Sequence, residues 1–263
     1  QEGAASLLTL YFPFIDIDLE AVQLSRLLLT SKSCQSLEAL LMKGSFTGDC
    51  LRVVEAYLSS DRAASLRRLC CWWRSDEHVS DGRTTIPAAL AAGRLPLLEE
   101  VDFCIHRAAA DDEAHLVQWA ASPSASRLAS LELDGHDLHA VLHAAVTGHG
   151  LPRLRTLRLR GRGDNDAAML ALVEGMASCD ALPCLECLEL VPGAGVEGVR
   201  RLAAFLAEGR GCSRTLRRLA LRGSTATDEA GAQLGRAIQA GGLTALEEVR
   251  EHSKAATRPW IYA

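Results

Sequence analysis

The feature that most constrains this chain is a leucine phrase, L-x-x-L-x-L, which returns about every thirty residues. It stands intact at Leu128-Leu131-Leu133, Leu154-Leu157-Leu159, Leu185-Leu188-Leu190 and Leu216-Leu219-Leu221. Looser copies begin at Leu7, Leu37, Leu66, Leu98 and Leu246, and successive copies start 26 to 32 residues apart. Nine copies at so steady an interval define a repeat protein, in which each unit supplies one short strand. Side chains alternate along a strand, so the later leucines of each phrase point to one side and the residues between them to the other.

The segments between phrases carry a helical period. Leu138, Val141, Leu142, Ala145 and Val146 share one helix face, as do Val196, Val199, Leu202, Ala203 and Leu206. Ala230, Leu234, Ala237 and Ile238 form a third such face. Asp16, Asp18, Asp49, Asp164 and Thr227-Asp228-Glu229 stand where helices should start, offering side-chain oxygens to unpaired N–H groups. Gly148, Gly209 and Gly241 are expected to supply the left-handed turns that end them. Each unit therefore reads as strand, turn, helix and return, and the fold class as α/β.

Composition limits the function. The 263 residues are 48% hydrophobic and 23% charged, as in a folded globular chain. A net charge of −5 excludes a nucleic-acid binder that acts through bulk charge. No apolar run approaches the length of a membrane span, and Gly3 to Ile15 lacks the basic flank of a signal peptide. The nine cysteines show no small-scaffold spacing, so a reduced, intracellular setting is expected, either cytoplasm or an organelle interior. Gln1 in place of Met leaves open that sequence precedes it.

The segments LPRLRTLRLRGRGDNDAAMLALVEGMASCDA and SRTLRRLALRGSTATDEAGAQLGRAIQAGG resemble the leucine-rich repeat proteins, specifically the long, helix-containing ribonuclease-inhibitor-like class. The resemblance is strongest from about residue 126 to 249. It implies a curved horseshoe with a parallel sheet on the concave face and helices on the convex face, spanning residues 1–252. Strands stack about 4.8 Å apart and helices about 8–10 Å, which turns such a stack by roughly 20° per repeat. One departure stands out: where the family places Asn or Cys after the phrase, this chain has Ser45, His106, His136, Arg162, Gly193 and Ser224. Residues 72–94 read as an irregular insertion and 253–263 as a tail or cap holding Trp260.

The register of the phrase then lists the residues facing a partner. One row is Tyr11, Leu41, Cys70, Asp102, Glu132, Arg158, Glu189, Ala220 and Arg250, and a neighbouring row holds Lys43, Trp72, Cys104, Asp134 and Arg160. Tyr11, Leu41, Cys70 and Trp72 make an apolar, partly aromatic patch with Lys43 at its rim, a pattern of interaction sites. A frame shifted by one residue would instead send Trp72 into the core and leave Trp73 outside. Farther along, Glu132, Arg158, Glu189 and Arg160 interleave their signs. This reads either as a self-neutralising ladder or as a charged docking site that steers a partner.

Motifs for chemistry are weak. His139 and His143, four apart on a helix, with His136, Asp134 and Asp137 nearby, are the best metal candidates, yet they sit on the flank of the leucine stripe as solvent-edge residues do. Cys184-Leu-Glu-Cys187 is a lone CxxC inside a strand pattern. Asp111-Asp112-Glu113 reads as favourable charge at a helix start. No P-loop, nucleophile elbow or HExxH motif is present. The expectation is a non-catalytic scaffold, without cofactor, metal, nucleic acid or membrane span, that binds a protein partner through Tyr11, Leu41, Lys43, Cys70, Trp72, Arg158, Arg160 and Trp260. A permanent subunit of a larger, organellar assembly is the first alternative. A regulator of a small GTPase or the sensor fragment of an immune-type receptor is the second, implied by the resemblance.

Overall fold

A computed structural model describes residues 8–12, 21–44, 48–73, 86–105, 110–135, 138–161, 166–179, 182–191, 195–209, 211–222, 228–240 and 243–252. Its frame is one open sheet of nine parallel strands in sequence order: β1 (Thr9–Phe12), β2 (Ala39–Gly44), β3 (Arg68–Trp73), β4 (Glu100–Ile105), β5 (Ser130–Gly135), β6 (Thr156–Gly161), β7 (Cys187–Val191), β8 (Arg218–Arg222) and β9 (Glu248–His252). Each strand starts two residues into its leucine phrase. The phrases align across the sheet, so that Leu131, Leu157, Leu188 and Leu219 fall in one register row and Leu133, Leu159, Leu190 and Leu221 in another.

Helices alternate with the strands: α1 (Ala21–Ser25, extended by a wider turn over Arg26–Thr30), α2 (Gly48–Leu58), α3 (Ile86–Ala91), α4 (Ala110–Ala120), α5 (Leu138–Thr147), α6 (Asp166–Cys179), α7 (Val196–Ala207) and α8 (Asp228–Gln239). Their buried residues recur at helical spacing, as in Val141, Leu142, Ala145 and Val146 of α5 and Val199, Leu202, Ala203 and Leu206 of α7. These faces and the inward row of every strand from β2 to β8 join in one continuous core. A lone unit could not bury its leucines; each does so only against its neighbours. Burial in β5 alternates along the whole strand, leaving Ser130, Glu132 and Asp134 on the face that no described helix covers.

Backbone bonds tie one repeat to the next at the start of each strand. The Glu38 carbonyl accepts the Arg67 and Arg68 N–H groups at 2.7 and 2.9 Å, and the Glu186 carbonyl accepts those of Arg217 and Arg218 at 2.8 and 2.9 Å. The same forked bond recurs from Leu8 to Arg217, satisfying the donors that enter the sheet. Arg67–Glu99, Arg155–Glu186 and Arg217–Glu247 ion pairs at 2.7, 2.9 and 2.9 Å run along the same edge. Their exposure limits each to about 0–1 kcal/mol.

Three expectations need correction. Val196, placed on the core face of its helix, is 41% exposed, because it is the first residue of α7 and precedes the turn that packs. The left-handed backbone before β6 lies at Gly150 (φ 66°) and not at Gly148, whereas Gly209 (φ 65°) does end α7 as expected. Trp72 belongs to β3 itself, in register with Lys43 and Cys104, so the irregular stretch begins after it. Residues 74–85 and the tail 253–263 with Trp260 lie outside the described residues, as do the six positions after the phrase that depart from the family pattern.

Gly175 shows how closely successive helices approach. A Cβ at this position of α6 would overlap Val146 Cγ2 and Cβ on α5. Gly→Ala inside a helix ordinarily stabilises by about 1 kcal/mol. Here the sign reverses, since buried Val146 is stiff at its first side-chain torsion and cannot swing aside. Gly175→Ala is expected to destabilise by about 1–3 kcal/mol in urea unfolding. A single variant more stable than the parent would refute the close approach.

Candidate functional site

The uncovered face of the sheet gathers the side chains expected to meet a partner. Across adjacent strands the register sets Tyr11 beside Leu41, Leu41 beside Cys70, Cys70 beside Asp102, Asp102 beside Glu132, Glu132 beside Arg158 and Arg158 beside Glu189. The second row runs Lys43, Trp72, Cys104, Asp134, Arg160 and Val191. Tyr11 is 53% exposed on β1, while Leu41 and Trp72 are half-buried.

Trp72 organises the centre. Its indole N–H donates to Asp102 Oδ1, and Lys43 Nζ lies 3.7 Å from Asp102 Oδ2. Lys43 Nζ is also 5.0 Å from the centroid of the Trp72 ring, and Arg160 Cζ is 5.4 Å from it. Both distances suit cation–π attraction, which strengthens as the site is dried. Arg160 belongs to β6, three strands away from β3, so these two side chains meet over β4 and β5. The intervening row positions hold only Cys104 and Asp134, whose short side chains leave room for that contact.

Next to the indole is a partly covered charge network. Glu132 Oε1 lies 2.8 Å from Arg160 Nη1, and Glu132 Oε2 lies 3.4 Å from Arg158 Nη1. Arg158 Nε stands 3.3 Å from Glu189 Oε2. Burial works against the Arg158 charge, but the Glu132 and Glu189 carboxylates outweigh it and hold its pKa above the ordinary arginine value. Beside small Ala220 the face dips into a shallow hollow of about 140 Å³, edged by Arg158, Cys187, Glu189, Arg218, Leu219 and Glu248. Ion pairing at these positions matches the interleaved signs along the strands.

Cys70 departs from its expected role. It stands in the row of Tyr11 and Leu41 but is only 4% exposed, with its thiol donating to Asp102 Oδ2 at 3.1 Å. It therefore supports the site from below and offers a partner almost no surface. Burial and the neighbouring Asp102 carboxylate push its pKa up, and burial does the same at Cys71. Of the eight cysteines whose side chains are described, seven are buried and Cys184 is exposed. Limited alkylation followed by mass spectrometry should mark Cys184 first and Cys70 and Cys71 only on unfolding. Modification of Cys70 as fast as Cys184 would contradict this geometry.

Among the described residues no group of three His, Cys, Asp or Glu side chains could hold a metal. His143 is exposed on α5, while His136, Asp137 and the side chain of His139 lie outside what is described. No described helix is long and apolar enough to cross a membrane. The sequence missed the reach of Arg160 to Trp72, because strand alternation shows which side a residue faces and not how far a long side chain leans.

No protein-family model matches the sequence, and no curated protein does. Among 28 solved chains that match in fold is a structural-genomics crystal structure of a Bacteroides fragilis protein, with a TM-score of 0.53 and 16% sequence identity. The likeness covers 86% of this chain and 62% of that one, so this chain spans less than two thirds of its neighbour. At that identity the likeness carries the architecture alone: parallel strands alternating with helices, compatible with a repeat solenoid.

Proposed function

We propose that the chain is a leucine-rich repeat solenoid of the ribonuclease-inhibitor-like class that acts as a non-catalytic scaffold, holding a partner protein against the uncovered, concave face of its sheet. One strand and one helix per leucine phrase support the class, and the different widths of strands and helices support the curvature. The observation that carries the binding role is Trp72, half-buried across the centre of the face with Lys43 and Arg160 on its ring. Aromatic and arginine side chains at the middle of a face, ringed by polar groups, are what interfaces use as anchors. Tyr11 and Leu41 extend the apolar part of the surface, while Glu132, Arg158 and Glu189 form its charged part and fix the register of a complementary surface.

A photo-reactive phenylalanine derivative placed at position 41 on the uncovered face, and separately at exposed position 201 on α7, tests this reading in native cells. The expected result is one cross-linked protein adduct from position 41 and none of the same mass from position 201. Adducts from position 201 alone would move the interface to the helices and overturn the proposal.

A further inference from the structure

The edge of the sheet where each helix returns to the next strand carries arginines with a period of their own. Arg62, Arg94, Arg127 and Arg153 fall in four successive connecting segments, 32, 33 and 26 residues apart. Three of them are held by carbonyl oxygens of the preceding repeat. Arg62 donates to Leu28 O at 3.1 Å and to Ser31 O, Arg94 to Ser59 O, and Arg127 to Pro96 O at 2.8 Å. A carbonyl is neutral, so these bonds fix each guanidinium in place without cancelling its charge and leave its other N–H groups to a ligand.

Arg153 is exposed in the next segment, and among the described residues none of the four has a carboxylate partner. The neighbouring acid Glu99 is already engaged by Arg67 at 2.7 Å, and Arg155 by Glu186 at 2.9 Å. From 92 to 99, 121 to 129 and 148 to 155 the segments hold four arginines against one glutamate, on a chain whose net charge is −5. A positive row on a negative chain is the arrangement that steers an acidic partner to one place.

We propose that this edge binds an extended acidic polypeptide segment of a partner protein, whose carboxylates engage Arg94, Arg127 and Arg153 in turn. Neighbouring repeats are set about 5 Å apart at the strands and about 10 Å at the helices, and alternate side chains of an extended peptide stand about 6.6 Å apart. Each carboxylate can therefore meet one guanidinium, in the two-pronged geometry that favours arginine. A nucleic acid fits less well, since these segments contain no Phe, Tyr or Trp on which bases could stack. The site is separate from the uncovered face, so its failure would leave the face untouched.

The test is fluorescence anisotropy of a labelled short poly-glutamate peptide with the full chain at low salt. Binding that weakens steeply with salt is expected, and R94E/R127E/R153E should lower affinity by about a hundredfold or more. R200E/R201E on α7, where both arginines pair with Glu197 at 2.6 and 3.0 Å, should stay within about twofold of the parent. The triple lysine variant, which keeps the charge but not the two-pronged geometry, should bind between the parent and the reversal. The proposal is overturned by a triple reversal that binds like the parent, by an equal loss in R200E/R201E, or by a lysine variant as weak as the reversal. Tighter binding of a single-stranded DNA of equal charge would also overturn it.

Discussion

Replacing Leu157 by Ala is expected to lower the free energy of unfolding by about 2–5 kcal/mol. Leu157 is wholly buried on β6, flanked in register by Leu131 on β5 and Leu188 on β7. Truncation removes its transfer free energy and leaves a cavity that two strands, each bonded to its own neighbours, cannot close. Because the units of such a stack contact mainly the next in line, damage at a central position weakens two junctions together. Thr156→Ala, one residue away and partly exposed, should change stability by no more than about 0.5 kcal/mol. Urea unfolding of the two variants measures the contrast. A loss below about 1 kcal/mol in Leu157→Ala would mean that the leucine rows do not carry the fold.

Trp72→Ala is expected to weaken partner binding by about thirtyfold or more, the loss of a central anchor at about 2 kcal/mol. Truncation removes the indole from between Lys43 and Arg160 and leaves Asp102 without its indole donor. The partner would then meet a face with a hollow at its centre and cations that no longer converge. A second readout needs no partner. Cys104 faces the uncovered side, in register with Trp72, yet is only 3% exposed. A thiol on that side is buried only when a neighbour lies over it, so Trp72→Ala should speed alkylation of Cys104. Trp72→Phe, which keeps a ring but no N–H, should protect Cys104 and recover part of the affinity. Parent-like binding by a folded Trp72→Ala chain, measured by titration calorimetry with the cross-linked partner, would remove Trp72 from the interface.

The strands and their register were legible because the leucine phrase is itself a statement about alternation. Even the loose copies Leu66-Leu69-Cys71 and Leu98-Val101-Phe103 keep the apolar side chains on the core side, with Leu69, Cys71, Val101 and Phe103 all buried. The shifted frame that would have buried Trp72 fails for the same reason. What pattern alone could not show depends on shape and reach. Cys70 stands in the partner-facing row yet is covered, Arg160 leans over two strands, and Gly175 lets one helix touch the next. The arginine row was present in the spacing of Arg62, Arg94, Arg127 and Arg153, but an arginine before a strand signals nothing until its carbonyl partner is known. Asp166 is similar. It was not among the expected helix starts, and its carboxylate accepts the Gly198 N–H at 2.9 Å, capping α7 of the next unit as well as opening its own helix.

The measurement that tests the stack and its curvature together is pulsed electron spin resonance on two doubly labelled chains, with nitroxides on an introduced ketone amino acid. Labels at positions 68 and 218 report β3 to β8, and labels at positions 52 and 201 report α2 to α7, five repeat steps in each case. The strand pair should lie about 24 Å apart at the backbone and the helix pair about 40–50 Å. Two distances of similar size would describe a flat stack with no concave side. A broad spread for the strand pair would deny that the phrases form one ordered sheet.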